Sequence, residues 1–198
     1  QIGNYEQSME ILQLVLEKNP NLSFANLYMG YNLLEMEKKE EALTSFQNTA
    51  KNDPQQMGTV MREIGLVSLL KEIDKNPGDP VLLRSLAEYY NLKKEYLKSL
   101  EYSLPLLQQD QMNLKILQII VYSYRGLGEA KEVLMYGGRY SLIDPEEMHL
   151  QFIMAEIFVQ LNKCMKALPL LEKVLEENDT YRNAWELREY CENQPSSV

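Results

Sequence analysis

The sequence repeats at an interval of about 34 residues, and this period restricts the fold more than any other feature. The interval from Pro20 to Pro54 equals that from Gln111 to Pro145, whereas Pro77 follows Pro54 sooner. A frame therefore runs through positions 20, 54, 77, 111, 145 and 179. Small residues recur at one fixed distance before most of these markers, at Ser8, Ala42, Gly65, Ser99 and Ala167. Such a period is typical of solenoids, in which each unit packs on its neighbours.

Within a unit, the apolar residues follow helical spacing. Leu97, Leu100 and Leu104 recur at three and four residues, which is the stripe of an amphipathic helix. A polar break such as residues 91–95 separates two stripes in each unit. Asn-Pro or Asp-Pro pairs such as Asp53-Pro54 close the units, because the residue before proline disfavours the α region. Each unit is thus predicted to contain two helices, helix A and helix B, joined by a turn.

This pattern resembles the tetratricopeptide repeat (TPR) family. In residues 23–56 the family pattern is matched by Met29-Gly30 and Leu33 in helix A, by Ala42 and Phe46 in helix B, and by the closing Pro54. The resemblance implies an all-α fold, a right-handed α-solenoid of helix–turn–helix repeats, in a fragment or domain of a larger TPR protein. The implied units are 1–22 (helix B of a partial TPR), 23–56 (TPR), 57–79 (shortened or degenerate), 80–113 (TPR), 114–147 (TPR), 148–181 (TPR) and 182–198 (C-terminal capping helix and tail).

The short interval 57–79 leaves two explanations open. Glu63–Lys75 is long enough for a helix B, but too few residues remain for a complete helix A. Either this is a degenerate unit that bends the array, or a stretch is missing from the sequence near Gln55–Arg62. In both cases we expect the array to divide into two blocks here.

Charge and composition exclude several classes of protein. The formal net charge is −9 and no basic stripe is present, which argues against a nucleic-acid partner. No apolar run is long enough to span a bilayer, so membrane insertion is not expected. Cys164 and Cys191 match no metal-ligand spacing, and the default expectation is two reduced thiols in a cytoplasmic protein. The chain begins at Gln1 rather than at Met, which favours a processed product or an excised fragment.

The search for catalytic chemistry gives no candidate. His149 is the only histidine, and no Ser or Cys lies in the context of a catalytic triad. Residues 125–129 contain two glycines but lack the Lys-Ser/Thr of a phosphate-binding loop, so we interpret them as an interhelical turn. We therefore predict a protein that is not an enzyme and has neither a metal site nor a cofactor.

The TPR resemblance places the partner site on helix A, which lines the concave groove in that family. Helix-A residues that are not assigned to packing mix aromatic side chains with Arg, Asn and Gln, and Tyr and Arg often dominate interfaces. We expect Asn91 and Gln118 to hydrogen-bond a peptide backbone, while any single Tyr has packing as its alternative role. The predicted groove residues are Phe24, Leu27, Tyr31, Glu35, Arg84, Glu88, Asn91, Lys115, Gln118, Tyr122, Arg125, His149, Phe152 and Glu156.

The leading functional hypothesis is a non-catalytic scaffold that binds a peptide or helix of a protein partner in this groove. The first alternative is a structural protein that self-associates through the open ends of its repeat array. The second alternative is a chaperone or targeting adaptor for a helical client. The sequence does not identify the partner.

Overall fold

The computed structural model describes residues 5–194, and the expected all-α fold is confirmed within that range. The helices are α1 (Tyr5–Lys18), α2 (Ser23–Glu35), α3 (Lys39–Asn52), α4 (Met57–Lys75), α5 (Pro80–Leu92), α6 (Tyr96–Gln109), α7 (Leu114–Leu127), α8 (Ala130–Ile143), α9 (Met148–Gln160), α10 (Cys164–Glu177) and α11 (Arg182–Glu192). A short 3-10 turn at Pro54–Gln56 precedes α4.

The turn between helix A and helix B has one conformation throughout the array. The residue that reverses the chain has a positive φ in four units: Glu37 (61°), Lys94 (62°), Gly128 (78°) and Asn162 (55°). Lys94, Gly128 and Asn162 follow one another at the repeat period, so the backbone follows the sequence frame. Only one of the four is glycine, the residue that adopts this region without a steric penalty. The interpretation of residues 125–129 as an interhelical turn is confirmed, since Gly128 caps α7 there.

The chain forms two compact units. The N-terminal unit extends to Leu86 and the C-terminal unit begins at Ala87, so the division falls inside α5. We expected the division within 57–79. It lies further along because α4 packs against α3 and therefore stays with the N-terminal unit.

In the N-terminal unit, α2, α3 and α4 share one core. Phe46 of α3 is completely buried, and its ring lies against Gly30 of α2 where a Cβ atom would otherwise project. Val60 and Val67 of α4 join the same cluster. This arrangement explains the small residue in helix A, since a side chain at position 30 would occupy the volume of the ring.

Helix α4 differs from the expected helix B over Glu63–Lys75. It begins at Met57, and its C-terminal end lies against the N-terminal end of α3, where Lys39 Nζ is 3.2 Å from the Leu70 carbonyl oxygen and Lys71 Nζ is 2.6 Å from Glu40 Oε1. Its Glu63 also accepts a hydrogen bond from α2. The single helix therefore packs on α3 as the helix A of a following unit would.

In the C-terminal unit, the end of the chain is closed by a disulfide between Cys164 and Cys191. This corrects the expectation of two reduced thiols. The two residues are 27 positions apart in sequence, but α10 and α11 form a hairpin that brings their Cα atoms to 5.1 Å. Helix α11 occupies the stretch near 182–192 where a last helix was expected.

Candidate partner-binding site

In the N-terminal unit, aromatic side chains form a row along α2. Phe24 and Tyr28 are 58% and 46% exposed, and their ring centroids are 4.4 Å apart. Tyr31 continues the row, 6.3 Å from Tyr28. Exposed aromatic rings at i and i+4 offer a broad apolar contact surface with little conformational entropy to lose.

Tyr31 connects this aromatic row to α4. Its hydroxyl donates to Glu63 Oε1 at 3.3 Å, and the Glu63 side chain is almost completely buried. Burial of the phenol, reinforced by the negative charge of Glu63, raises the pKa of Tyr31 to about 12. Tyr31 is therefore neutral at physiological pH and holds α2 and α4 together.

The C-terminal unit contains a cavity of about 430 Å³ between the end of α5, the start of α6 and the end of α7. We call it the Tyr122 cavity. Gly126 allows one of its walls to form, because the Tyr96 ring lies where a Cβ at position 126 would project. The lining residues are Asn91, Leu92, Lys94, Tyr96, Tyr122, Arg125 and Gly126.

Charged and polar neighbours hold the α7 side of the Tyr122 cavity in place. Arg125 Nη2 lies 2.6 Å from Glu156 Oε2 of α9, and both side chains remain partly exposed. Burial, followed by the charge of Glu147, raises the pKa of Tyr122, while a side-chain hydrogen bond from Gln118 opposes that rise. The cavity thus presents a neutral phenol beside a guanidinium.

Asn91 is anchored inside the unit. Its Nδ2 donates to Ser123 Oγ at 2.9 Å, and the Ile119 carbonyl oxygen lies 3.4 Å away. Ser123 is buried, with its Oγ 3.0 Å from Ser99 Oγ of α6. This hydrogen-bonded group joins α5, α6 and α7, so it fixes the three helices that surround the Tyr122 cavity.

The structure brings some predicted groove residues together and separates others. Asn91, Tyr122 and Arg125 line one cavity, with Gln118 and Glu156 bonded to two of them. Six further predicted positions are exposed or half-exposed on helix A: Phe24, Glu35, Arg84, Glu88, Lys115 and His149.

Leu27 and Phe152 lie in the cores of their units and expose little surface. Both occupy the position three residues before the small helix-A residue, Gly30 or Ala155, and so lie on its inward side. The equivalent positions of the other two units hold Arg84, which is exposed, and Gln118, which is half-buried. At this position the apolar side chains are therefore buried and the polar ones remain in contact with solvent.

Three features were missed by sequence reasoning. Tyr28 is exposed beside Phe24, and the i, i+4 aromatic pair was the available signal. Glu63 is buried with Val60 and Val67, three and four residues away on the same helix face, and that apolar context was visible in the sequence. Lys94 lines the Tyr122 cavity from the turn, and Tyr96 lines it from helix B. The predicted groove was confined to helix A, so neither residue was considered.

Within residues 5–194, no cluster of three or more His, Cys, Asp or Glu side chains is arranged to hold a metal ion. In the same range, no helix combines the length and apolar character needed to cross a membrane.

Comparison with known proteins bears on the fold. The tetratricopeptide repeat family model matches residues 24–55. Among solved structures, the chain is similar to YrrB, described as a TPR protein with an unusual peptide-binding site, with a TM-score of 0.52, 16% identity, and coverage of 91% of this chain and 99% of that one. The Cut9–Hcn1 hetero-tetramer of the APC/C gives a TM-score of 0.57 at 12% identity, covering 96% of this chain and 40% of that one.

A mutant of MamA gives a TM-score of 0.55 at 12% identity, covering 79% of this chain and 92% of that one. At these identities the likeness concerns the fold, and the expected TPR architecture is confirmed. A search of curated proteins by sequence gave no match.

Proposed function

We propose that this chain, which has the fold of tetratricopeptide repeat proteins and matches that family's model over residues 24–55, is an interaction module that holds a peptide or helix of a protein partner at the Tyr122 cavity. The TPR fold itself indicates a protein–protein interaction scaffold, and TPR proteins are generally non-catalytic. The observation that carries the specific proposal is the meeting of Asn91, Tyr122 and Arg125 around one cavity.

The chemistry of the Tyr122 cavity favours one large side chain of a partner. Its volume of about 430 Å³ has room for a large aromatic or branched aliphatic side chain of a partner, and the site is open to solvent on one side. Tyr96, Tyr122 and the 83%-exposed Leu92 supply apolar contact, and Arg125 supplies a cation for hydrogen bonds to partner carbonyl oxygens. Concave sites of this kind, apolar with a few polar groups, are typical binding sites.

The hydrogen-bonded group beneath Asn91 supports a preformed site. Asn91, Ser123 and Ser99 connect α5, α6 and α7 before any partner arrives, so little ordering entropy is lost on binding. The ion pair between Arg125 and Glu156 restrains the guanidinium in the same way.

The proposal is tested by selecting binders from a library of random peptides displayed on phage, with the full chain as bait. We expect the selected peptides to lose at least tenfold in affinity for Tyr122→Ala and for Arg125→Ala. Tyr190→Ala and Lys131→Ala are the matched controls, since both residues are exposed outside the cavity and should leave affinity unchanged. Equal affinity of every selected peptide for all four variants would exclude the cavity as the binding site.

A specific observation also favours self-association as a second function. Helix α1 exposes Ile11 (63%), Leu14 (61%) and Val15 (36%) on one face, which is the outer side of the first helix described. An exposed apolar stripe at i, i+3 and i+4 is suited to helix–helix contact with a second copy. Sedimentation equilibrium should then show a concentration-dependent mass that Leu14→Glu abolishes, and a constant monomer mass for the unmodified chain would rule this role out.

The breadth of the selected peptides separates a dedicated scaffold from a chaperone-like adaptor. A shared consensus supports a dedicated partner. Binding of many unrelated amphipathic sequences supports an adaptor for helical clients.

A further inference from the structure

The last two helices form a hairpin whose open end is closed covalently. Cys164 is the first residue of α10, and Cys191 lies one residue before the end of α11. Residues 178–181 form the turn at the other end of the hairpin. The disulfide therefore holds α11 at the point farthest from the turn.

Helix α11 buries only a few of its own side chains. Of its eleven residues only Ala184 and Cys191 are buried, and Leu187 is partly buried against the same core. Trp185 is 45% exposed, and its Nε1 donates to the Asp179 carbonyl oxygen within the preceding turn, 2.7 Å away. A helix of this length is marginal in water without tertiary contacts. The disulfide therefore adds a covalent restraint to the limited buried surface that holds α11 against α10.

The surface beneath α11 is apolar. Helix α11 packs against α10 and touches α9. The cluster that it joins contains Leu171 and Val174, which are fully buried, and Leu175, which is nearly so. Undocking of α11 would expose to solvent the part of this cluster that α11 covers.

We propose that Cys164 and Cys191 form a redox latch that controls the docking of α11. In the disulfide state α11 covers the apolar face of α10, and in the dithiol state α11 undocks and uncovers that face. The latch adds a regulatory device to the chain and does not depend on the Tyr122 cavity.

Opening is a two-electron thiol–disulfide exchange with a dithiol reductant. Cys164 is half-exposed whereas Cys191 is only 5% exposed, so the reductant thiolate attacks the Cys164 sulfur and the Cys191 thiolate leaves and takes up a proton. The second reductant thiol then attacks the mixed disulfide, releasing Cys164 as a thiol and the reductant as its own disulfide. Closing reverses this balance with a small-molecule disulfide such as oxidised glutathione, which leaves as two thiols.

The latch is tested by hydrogen–deuterium exchange of the full chain after treatment with oxidised glutathione or with dithiothreitol. The cross-link spans 27 residues, so its loss should raise the exchange rate of α11 amides on the order of a hundredfold. Amides of α2 and α3 in the other unit should not change. The double variant Cys164→Ser/Cys191→Ser should resemble the reduced chain with either reagent.

Two results would overturn the latch. One is equal protection of the α11 amides from hydrogen exchange in the oxidised and the reduced wild-type chain. This comparison does not require that any variant folds. The other is an intact mass showing two free thiols after oxidation, because the bond removes two hydrogens. Faster exchange of α11 on reduction, without a change in α2 and α3, supports it.

Discussion

Gly30→Ala is the substitution whose outcome depends most directly on the packing of helix A against helix B. A Cβ at this position would lie 2.5 Å from Phe46 Cε1 and 2.7 Å from Cδ1. Carbon atoms in contact are normally about 3.5–4.0 Å apart. Phe46 has no solvent-exposed surface, so its ring has no free space into which to move.

Two opposing terms set the magnitude of this effect. Replacing a mid-helix glycine by alanine is worth about 1 kcal/mol in helix propensity. Inserting a methyl group into a filled core costs about 1–3 kcal/mol. The short distances to the Phe46 ring indicate a cost at or above the top of that range, so we expect a net loss of about 2 kcal/mol in the free energy of unfolding.

Gly65→Ala is the matched control. Gly65 lies inside α4, is exposed, and has no atom within 4 Å of the position of a Cβ. Only the propensity term applies, and it should stabilise the chain by about 1 kcal/mol. The two Gly→Ala changes are therefore expected to have opposite signs in urea denaturation followed by far-ultraviolet circular dichroism.

A double-mutant cycle isolates the contact itself. In a Phe46→Leu background, Gly30→Ala should cost less by about 1 kcal/mol or more, because the smaller side chain leaves room for the methyl group. A neutral or stabilising Gly30→Ala in the wild-type background would refute the packing argument, whatever the cycle gives.

Three further predictions concern charge, turn geometry and pH. Reversing one charge with Arg125→Glu should cost no more than about 1 kcal/mol, because both partners are partly exposed, and adding Glu156→Arg should restore stability in a thermal melt. Lys94→Gly should raise the free energy of unfolding, measured by urea denaturation, by roughly 1 kcal/mol, because Lys94 has a φ of 62° that glycine adopts without strain. A decrease in the free energy of unfolding would mean that the contacts of the Lys94 side chain outweigh its backbone strain. Because the pKa of Tyr31 rises from 10.0 to about 12, folding favours the neutral phenol, and its stabilising contribution is complete below pH 10 and lost as pH rises through 12. Tyr31→Phe should therefore flatten the alkaline decline in stability between those values, and an unchanged slope would contradict this assignment.

Most of the fold was predictable because repeat packing is local. The helix ends follow from single residues: α3 stops at Asn52 before Asp53-Pro54, and α8 stops at Ile143 before Asp144-Pro145. The small residue of helix A in the family pattern, Gly30, proves to be a contact point against Phe46, whereas Gly65 of the periodic series faces open space. Helix α4 was misjudged because its role depends on contacts with α3 that no local pattern encodes.

The candidate site was only partly predictable because a helix face does not specify its neighbours. Tyr122 and Arg125 stand out as helix-A residues, but the cavity also requires Tyr96 of helix B and the absence of a side chain at Gly126. Helix periodicity likewise gave no reason to pair Cys164 with Cys191, since their approach depends on the angle at which α11 returns along α10.

The central claim, that a partner segment binds at the Tyr122 cavity, is tested most directly by titrating a selected peptide into the isotope-labelled full chain. Backbone amide chemical shifts then map the contact in solution. The claim predicts that the largest shifts cluster at residues 91–96 and 118–126. Shifts confined to α1, or to the N-terminal unit as a whole, would contradict it.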